Sequence, residues 1–233
     1  MNAGDPNIPL LDSVAHALGP LCQRFVFVGG CAAGLLVTDS AAPPARVTRD
    51  VDVIVEVLSL FEYQVLERDL EGNGFKHDRR SDAPVCRWIV GGCILDVVPT
   101  DERILGFSNR WYAEAARTAS PFELPSGLQI RLISAPTFLA TKLEAFAGRG
   151  RGDYRASHDL EDIVSLVNGR VELPDEVGSA AAGLRSYLAN RSGALLAEPK
   201  FIDALPGHLP GDETSQARMP MILDRLKRIS LLS

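Results

Sequence analysis

RVTRDVDVIVEV, residues 46–57, is the stretch that decides the fold of this chain. From position 50 onward acids alternate with valines, except that an isoleucine takes one acid position, and this alternation predicts a β-strand. Side chains of a strand point alternately to its two faces, so Asp50, Asp52 and Ile54 share one face and the valines share the other. The valine face is predicted to lie in the core, which leaves two carboxylates together on the opposite face.

The segment before this strand predicts a strand, a glycine turn and a helix. Phe25–Val28 is typical of a buried strand, Gly29-Gly30 interrupts it, and the Ala/Leu-rich run Cys31–Val37 favours a helix. Glycine has no Cβ, so such a turn lets backbone N–H groups approach a phosphate, and the N-terminus of a following helix favours anions. By itself the turn is weak evidence, because Gly-Gly is common in ordinary loops.

Downstream, two β-rich runs predict a hairpin that carries a third acid. Val85–Val90 and Cys93–Val98 are separated by Gly91-Gly92, a two-residue hairpin connection. Asp96 lies in the second run with apolar residues on both sides. Two interpretations stay open: Asp96 is a metal ligand, or it is a structural acid paired with an arginine such as Arg87.

The predicted secondary structure changes near residue 130, where strand-like alternation gives way to helical runs. The sequence therefore predicts an α/β (α+β) protein with a small mixed β-sheet core and a helical C-terminal lobe, divided as residues 1–125 and 126–233. The helices are predicted at Leu10–Leu21, Leu58–Leu70, Pro136–Ala147, Ser157–Val167, Ala180–Ala189 and Met221–Ile229.

Composition narrows the class of protein. The 233 residues include 24 Lys plus Arg against 30 Asp plus Glu, a formal net charge of −6 at pH 7, which excludes a generally basic nucleic-acid coat. The four cysteines form no CxxC pair, so neither a zinc site nor a disulfide framework is expected. The longest nearly apolar run, Phe25–Val37, has 13 residues, whereas a membrane span needs about 20. No signal-peptide pattern is evident, so a cytoplasmic location without membrane association is expected.

Paired acids on a strand suit divalent cations. Asp50 and Asp52 lie about 6–7 Å apart along a strand, and such carboxylates can converge on two ions about 3.5–4 Å apart. With Asp96 as a third ligand on a neighbouring strand, they would form a phosphoryl-transfer site with two Mg²⁺, or Mn²⁺ in their place. The alternative is an edge strand whose polar face is solvated, and Ile54 on that face counts against it.

The order of these elements resembles the DNA polymerase β-like nucleotidyltransferase superfamily. Its signature is a GG or GS turn, a spacer, D-x-D or D-x-E on a strand, and a third Asp on a neighbouring strand. The resemblance implies an NTP substrate, nucleotide binding at Gly29 and Gly30, and metal binding and catalysis by Asp50, Asp52 and Asp96. We also expect Arg46 or Arg49 to neutralise phosphate charge and Thr48 to orient the metal-binding strand.

The second half of the chain looks like AbiEii-type nucleotidyltransferases, the toxins of bacterial toxin–antitoxin systems. The matching stretch is APTFLATKLEAFAGRGRGDYRASHDLEDIVSLV, residues 135–167. The resemblance implies that Lys142 binds the nucleotide phosphates and that Asp159 is a catalytic acid near the reacting hydroxyl. The alternatives are a solvated helical lysine for Lys142 and simple helix capping for Asp159.

The acceptor is the least determined part of this prediction. The resemblance favours the 3′ end of tRNA, contacted through Arg149, Arg151 and Arg155, and a separate antitoxin chain as partner. An exposed loop with scattered charge explains those arginines equally well. A protein hydroxyl, a small aminoglycoside-like acceptor and a non-catalytic nucleotide- or partner-binding module stay open as alternatives.

Overall fold

The computed structural model describes residues 5–150 and 152–232. Seven strands form one mixed sheet: β1 (Phe25–Val28), β2 (Asp50–Val55), β3 (Lys76–His77), β4 (Arg87–Val90), β5 (Cys93–Pro99), β6 (Ser120–Glu123) and β7 (Gln129–Leu132). Their order is β3-β4-β5-β2-β1-β7-β6. The protein is therefore of the mixed α/β class, as the sequence predicts.

Helices make up most of the remaining chain. They are α1 (Ile8–Leu18), α2 (Gly29–Ala32), α3 (Leu60–Gly72), α4 (Glu102–Leu105), α5 (Tyr112–Thr118), α6 (Ala135–Arg149), α7 (His158–Gly169), α8 (Leu173–Gly178), α9 (Ala182–Ala197), α10 (Pro199–Ala204), α11 (Glu213–Gln216) and α12 (Met219–Ser230). Three short 3₁₀ segments lie at Gly19–Arg24, Gly34–Leu36 and Leu205–His208. Within the described ranges, no helix is both long and apolar enough to cross a membrane.

The chain divides into two compact units. The sheet unit comprises Pro6–Ala32 and Arg46–Ser134, and it contains all seven strands. The helical unit comprises residue 5, residues 33–45 and residues 135–232 of the described chain. The segment 33–45 thus belongs to the helical unit, although the chain before and after it belongs to the sheet unit.

Strand β2 lies in the middle of the sheet, which excludes one of the two interpretations of its acids. It pairs antiparallel with β1 and parallel with β5. Val51, Val53 and Ile54 are fully buried, so the face that carries the acids is covered at its far end. The interpretation of β2 as a solvated edge strand is therefore wrong.

The β4–β5 hairpin follows the sequence prediction closely. Gly91 and Gly92 both have positive φ, 55° and 85°, the conformation that a type I′ turn needs and that glycine adopts without steric cost. Val90 faces Cys93 across this turn. A two-residue turn fixes the pairing of every residue behind it, because each step away from the turn advances both strands by one residue.

The predicted helix after the glycine turn is wrong in length. In place of a helix over Cys31–Val37, the structure has the four-residue α2 and a separate 3₁₀ turn at Gly34–Leu36. A helix dipole builds up over several aligned peptides, so one turn gives little support to the anion site expected at its N-terminus. Residue 33 is also where the chain passes from one compact unit to the other.

The helical unit is built around helices that the sequence predicts unevenly. The ends of α6, α7 and α12 lie within two residues of the predicted ends, whereas α9 continues to Ala197, eight residues beyond the predicted Ala189. In its core α12 packs on α8 and α9, and α6 packs on α7. The buried Arg225 of α12 donates from Nη1 to the Val167 and Asn168 carbonyls, at 2.8 and 2.6 Å. Those carbonyls lie in the last turn of α7, where backbone acceptors have no partner inside the helix.

Candidate functional site

Three charged side chains lie in one row across adjacent strands of the sheet unit. Asp52 of β2 is in register with Asp96 of β5, and Asp96 is in register with Arg87 of β4. Residues paired across a sheet point to the same face. The sheet therefore brings two of the predicted metal ligands together, and it places an arginine beside them.

Arg87 binds two of the three predicted metal ligands. Its Nε lies 2.8 Å from Asp96 Oδ1, and its Nη2 lies 2.7 Å from Asp96 Oδ2 and 3.3 Å from Asp50 Oδ2. Both Asp96 oxygens thus accept from one guanidinium, the strongest arrangement for such a pair. The hydrogen bond to Asp96 is the main reason that the pKa of Arg87 lies above its usual range. The pairing of Asp96 with Arg87, left open by the sequence, is confirmed.

The glycine turn is tightly packed by two of the predicted site residues. Gly29 has φ 69°, and a Cβ on it would lie 1.9 Å from Asp52 Oδ2. A Cβ on Gly30 would lie 2.4 Å from Arg46 Nη2. Gly29 requires glycine, because its φ is positive and the Asp52 carboxylate fills the space that a side chain would take. A side chain at Gly30 would have to displace the Arg46 guanidinium and crowd the Thr48 methyl group.

Asn7 anchors the start of β2, and sequence reasoning did not identify it. Its buried side chain donates from Nδ2 to the Arg46 carbonyl at 2.9 Å and accepts from the Thr48 N–H at 2.9 Å. The Thr48 hydroxyl in turn lies 3.2 Å from the Asp50 carbonyl oxygen, to which it donates. Thr48 therefore braces the acid-bearing strand, and Asn7 braces Thr48. A lone Asn before a helix start gave no signal of a contact 41 residues away.

The donor set of the sheet unit suits a divalent cation at Asp50 and Asp52. Carboxylate oxygens are the ligands that Mg²⁺ prefers, and the Asp50 side chain is 36% exposed against 10% for Asp96. The Asp52 carboxylate occupies the space above Gly29, against the backbone of the glycine turn. Asp96 has both oxygens engaged by Arg87, and within the described ranges no three His, Cys, Asp or Glu side chains are arranged to hold a metal ion.

A second charged cluster lies inside the helical unit, between α6 and α7. Lys142 Nζ lies 2.6 Å from Asp162 Oδ2 and 3.5 Å from Asp159 Oδ1, and it also lies 5.6 Å from the centroid of the Phe138 ring. The Lys142 and Asp162 side chains are only 8% and 2% exposed. The interpretation of Lys142 as a solvated lysine is therefore wrong.

Asp159 is also held by an arginine. Arg149, two turns after Lys142 on α6, donates from Nε and Nη2 to the two Asp159 oxygens, each at 2.9 Å. Burial raises the pKa of Asp159, but the Arg149 hydrogen bond and the Lys142 charge lower it by more, so the pKa lies below its ordinary value. The N-cap of α7 is Ser157, whose Oγ accepts from the Leu160 N–H. The interpretation of Asp159 as a simple helix cap is therefore wrong, since Ser157 caps the helix and Asp159 binds Arg149.

The arginines predicted to contact RNA are in different situations. Arg149 is largely exposed yet bound to Asp159, and Arg155 is exposed. Arg151 lies outside the described residues. The charges of Lys142 and Arg149 are balanced by those of Asp159 and Asp162, so this cluster as a whole is neutral.

The predicted site residues thus fall into two groups, one in each unit. The sheet unit brings together Gly29, Gly30, Arg46, Thr48, Asp50, Asp52 and Asp96, with Arg87 and Asn7 in addition. The helical unit brings together Lys142 and Asp159, with Asp162 and Arg149 in addition. Arg87 could be found from the sequence, because it lies as many residues before the Gly91-Gly92 turn as Asp96 lies after it.

These features define a mixed α/β protein with clustered acids beside a glycine turn. No known protein family matches the chain, and no curated protein matches it. Among solved structures, it is similar to an antigenic nucleotidyltransferase-like protein from Paracoccidioides brasiliensis, with 18% sequence identity and a TM-score of 0.46. The match covers 88% of this chain and 94% of that one. Likeness at this level transfers neither an activity nor the role of any residue.

Proposed function

We propose that this chain is a nucleotidyltransferase, which moves a nucleoside monophosphate from an NTP to an acceptor hydroxyl. One arrangement carries the proposal: Asp50 and Asp52 on the central strand β2, Asp96 in register on β5, and the Gly29-Gly30 turn packed against Asp52. Acids on adjacent central strands are costly to hold together unless positive charge offsets theirs. Arg87 supplies part of that charge to Asp96 and Asp50, and bound divalent cations would supply more.

Each residue of this arrangement has a proposed task. Asp50 and Asp52 would hold a Mg²⁺, for which Mn²⁺ can substitute, and Asp96 would take part in holding a second ion once Arg87 releases it. Such ions, when bound, neutralise triphosphate charge and lower the pKa of the acceptor hydroxyl. The guanidinium of Arg46 lies over Gly30, so a phosphate that approaches the glycine turn would meet its positive charge.

The finer proposal concerns the acceptor. We propose the 3′ end of tRNA and a role as the toxin of a toxin–antitoxin pair, supported by the resemblance of residues 135–167 to AbiEii-type toxins. Arg149 and Arg155 would contact the RNA backbone, and Arg151 with them. Lys142 and Asp159 keep their proposed roles at the phosphates and the acceptor, but Lys142 can bind a phosphate only by exchanging its Asp162 contact for it.

The test is a transfer assay. The protein is incubated with each labelled NTP, Mg²⁺ and total tRNA, and the products are separated as RNA and protein. Label on tRNA is expected, with at least about a hundredfold loss in Asp50→Ala and in Asp52→Asn, since each removes a charged ligand. The matched control is Asp69→Asn, a surface acid paired with Arg24 in the same unit. Label on protein alone, or no label with tRNA, contradicts the tRNA acceptor.

A second candidate is a non-catalytic nucleotide- or partner-binding module. The observation that favours it is the bidentate hold of Arg87 on Asp96, which occupies a predicted metal ligand. This candidate predicts nucleotide binding without transfer to any acceptor. Transfer that disappears in Asp50→Ala would exclude it.

A further inference from the structure

Arg87 has no place in the metal-site signature, yet it lies in the same row as the acids. It binds Asp96 through two hydrogen bonds of 2.8 and 2.7 Å, and it reaches across β5 to Asp50 at 3.3 Å. Its side chain is mostly buried. The contact is therefore part of the packed sheet and differs from a mobile surface pair.

The position of Arg87 is fixed by its backbone. The β4–β5 turn sets the register that places Arg87 opposite Asp96. On either side of that pair the backbone is held as well, with the Arg87 N–H donating to the Pro84 carbonyl and the Val97 N–H donating to the Cys86 carbonyl, at 3.0 and 2.9 Å. These backbone hydrogen bonds keep the two residues opposite each other, whatever the Arg87 side chain contacts.

We propose that Arg87 is a positioning residue that holds Asp96 and keeps a second divalent cation away from it. In the absence of nucleotide the protein then binds one divalent cation, at Asp52 and at Asp50, to which Arg87 makes a single longer contact of 3.3 Å in place of the two short ones it makes to Asp96. This inference rests on the proposed function, because it takes Asp50 and Asp52 as ligands.

Charge and geometry support the exclusion. A guanidinium that donates to both oxygens of a carboxylate occupies one lone-pair position on each oxygen, which prevents a cation from binding both oxygens at once from that side. Mg²⁺ requires short oxygen contacts of about 2.0–2.1 Å. A divalent ion on Asp96 would therefore lie within a few ångströms of a fixed positive charge, and the two would repel each other in a partly buried site. Arg87 and a second ion are thus alternatives at Asp96.

The test counts bound Mn²⁺ by electron paramagnetic resonance on the full chain without nucleotide. We expect one ion for the wild type and two for Arg87→Gln, the second bound at least about tenfold more tightly than any second ion of the wild type, because a repelling charge is removed. If the Gln variant fails to fold, Arg87→Met takes its place. It also removes the positive charge and keeps an unbranched side chain, and we expect it to bind two ions as well. Adding Asp96→Asn to either variant should return the count to one.

Arg80→Gln is the matched control, since Arg80 is an exposed arginine of the same unit paired with Asp78. Its ion count should equal that of the wild type. Two ions in the wild type, or one ion in both Arg87 variants, overturns the inference and leaves the metal site of the proposed function standing. If none of these proteins binds Mn²⁺, both proposals are overturned. If the wild type binds one ion and Asp52→Asn still binds it, the assignment of Asp50 and Asp52 as its ligands is contradicted.

Discussion

The buried ion pair between Lys142 and Asp162 gives the sharpest stability prediction. Its atoms lie 2.6 Å apart, and the two side chains are 8% and 2% exposed. Asp162→Leu removes the nearer carboxylate and leaves the Lys142 ammonium with Asp159 at 3.5 Å, a carboxylate that Arg149 already binds twice. Breaking a buried pair from one side costs about 3–5 kcal/mol, because a charge stays buried without its partner.

The assay is urea unfolding followed by far-UV circular dichroism. With a slope of about 2 kcal/mol per molar urea, the expected loss lowers the unfolding midpoint by about 2 M. Lys142→Met should cost a similar amount, because it removes the ammonium 2.6 Å from the buried Asp162 carboxylate. The double variant Lys142→Met/Asp162→Leu should be far less destabilised than the sum of the two, since it removes both buried charges together and leaves Asp159 paired with Arg149.

An exposed pair of the helical unit serves as the control. Arg228 and Asp175 lie 3.2 Å apart with side chains 51% and 82% exposed, and Asp175→Asn should change the free energy of unfolding by less than about 1 kcal/mol. The reasoning is refuted if Asp162→Leu costs no more than this control. It is equally refuted if the costs of Lys142→Met and Asp162→Leu simply add in the double variant.

Other parts of the structure lead to three more predictions. Gly29→Ala should lower the free energy of unfolding by about 1–2 kcal/mol because of its positive φ, and it should abolish Mn²⁺ binding because its Cβ displaces Asp52. The control is Gly74→Ala, where φ is 86° and the space around the residue is open. It should lower the thermal unfolding midpoint but keep the ion. The folded-state pKa of Asp159 is lowered, so its contribution to stability is present above the unfolded value of about 3.9 and is lost as the pH falls through the folded pKa. Thermal midpoints between pH 7 and 3 should therefore fall more steeply for the wild type than for Asp159→Asn, and parallel curves would contradict the shift. Burial raises the pKa of Cys86 to about 12, so peptide mapping should find it unmodified by iodoacetamide at pH 8 in the native protein and modified in urea; equal labelling in both would be the contrary result.

Much of the sheet unit is predictable because its signals are local. Alternation of acids and valines predicts β2, and the glycine pair at 91–92 predicts both the hairpin and its register. The register alone places Arg87 opposite Asp96, since the two residues lie equally far from the turn. The prediction of a long helix after Gly29 is wrong. Ala and Leu favour a helix only where the chain can continue one, and here the chain passes from one compact unit to the other at residue 33.

The sequence by itself determined the class of fold, the face of β2 that carries the acids and the helices α6 and α7, because side-chain periodicity expresses which face is buried. The tertiary structure alone decided what those charges meet: Asp50 shares the guanidinium of Arg87, Asn7 braces Thr48, and Lys142 is buried against Asp162. These contacts join residues 20 to 41 positions apart in the sequence. Their partners depend on how the strands are ordered and how the helices are packed, and no local pattern of residues encodes that order.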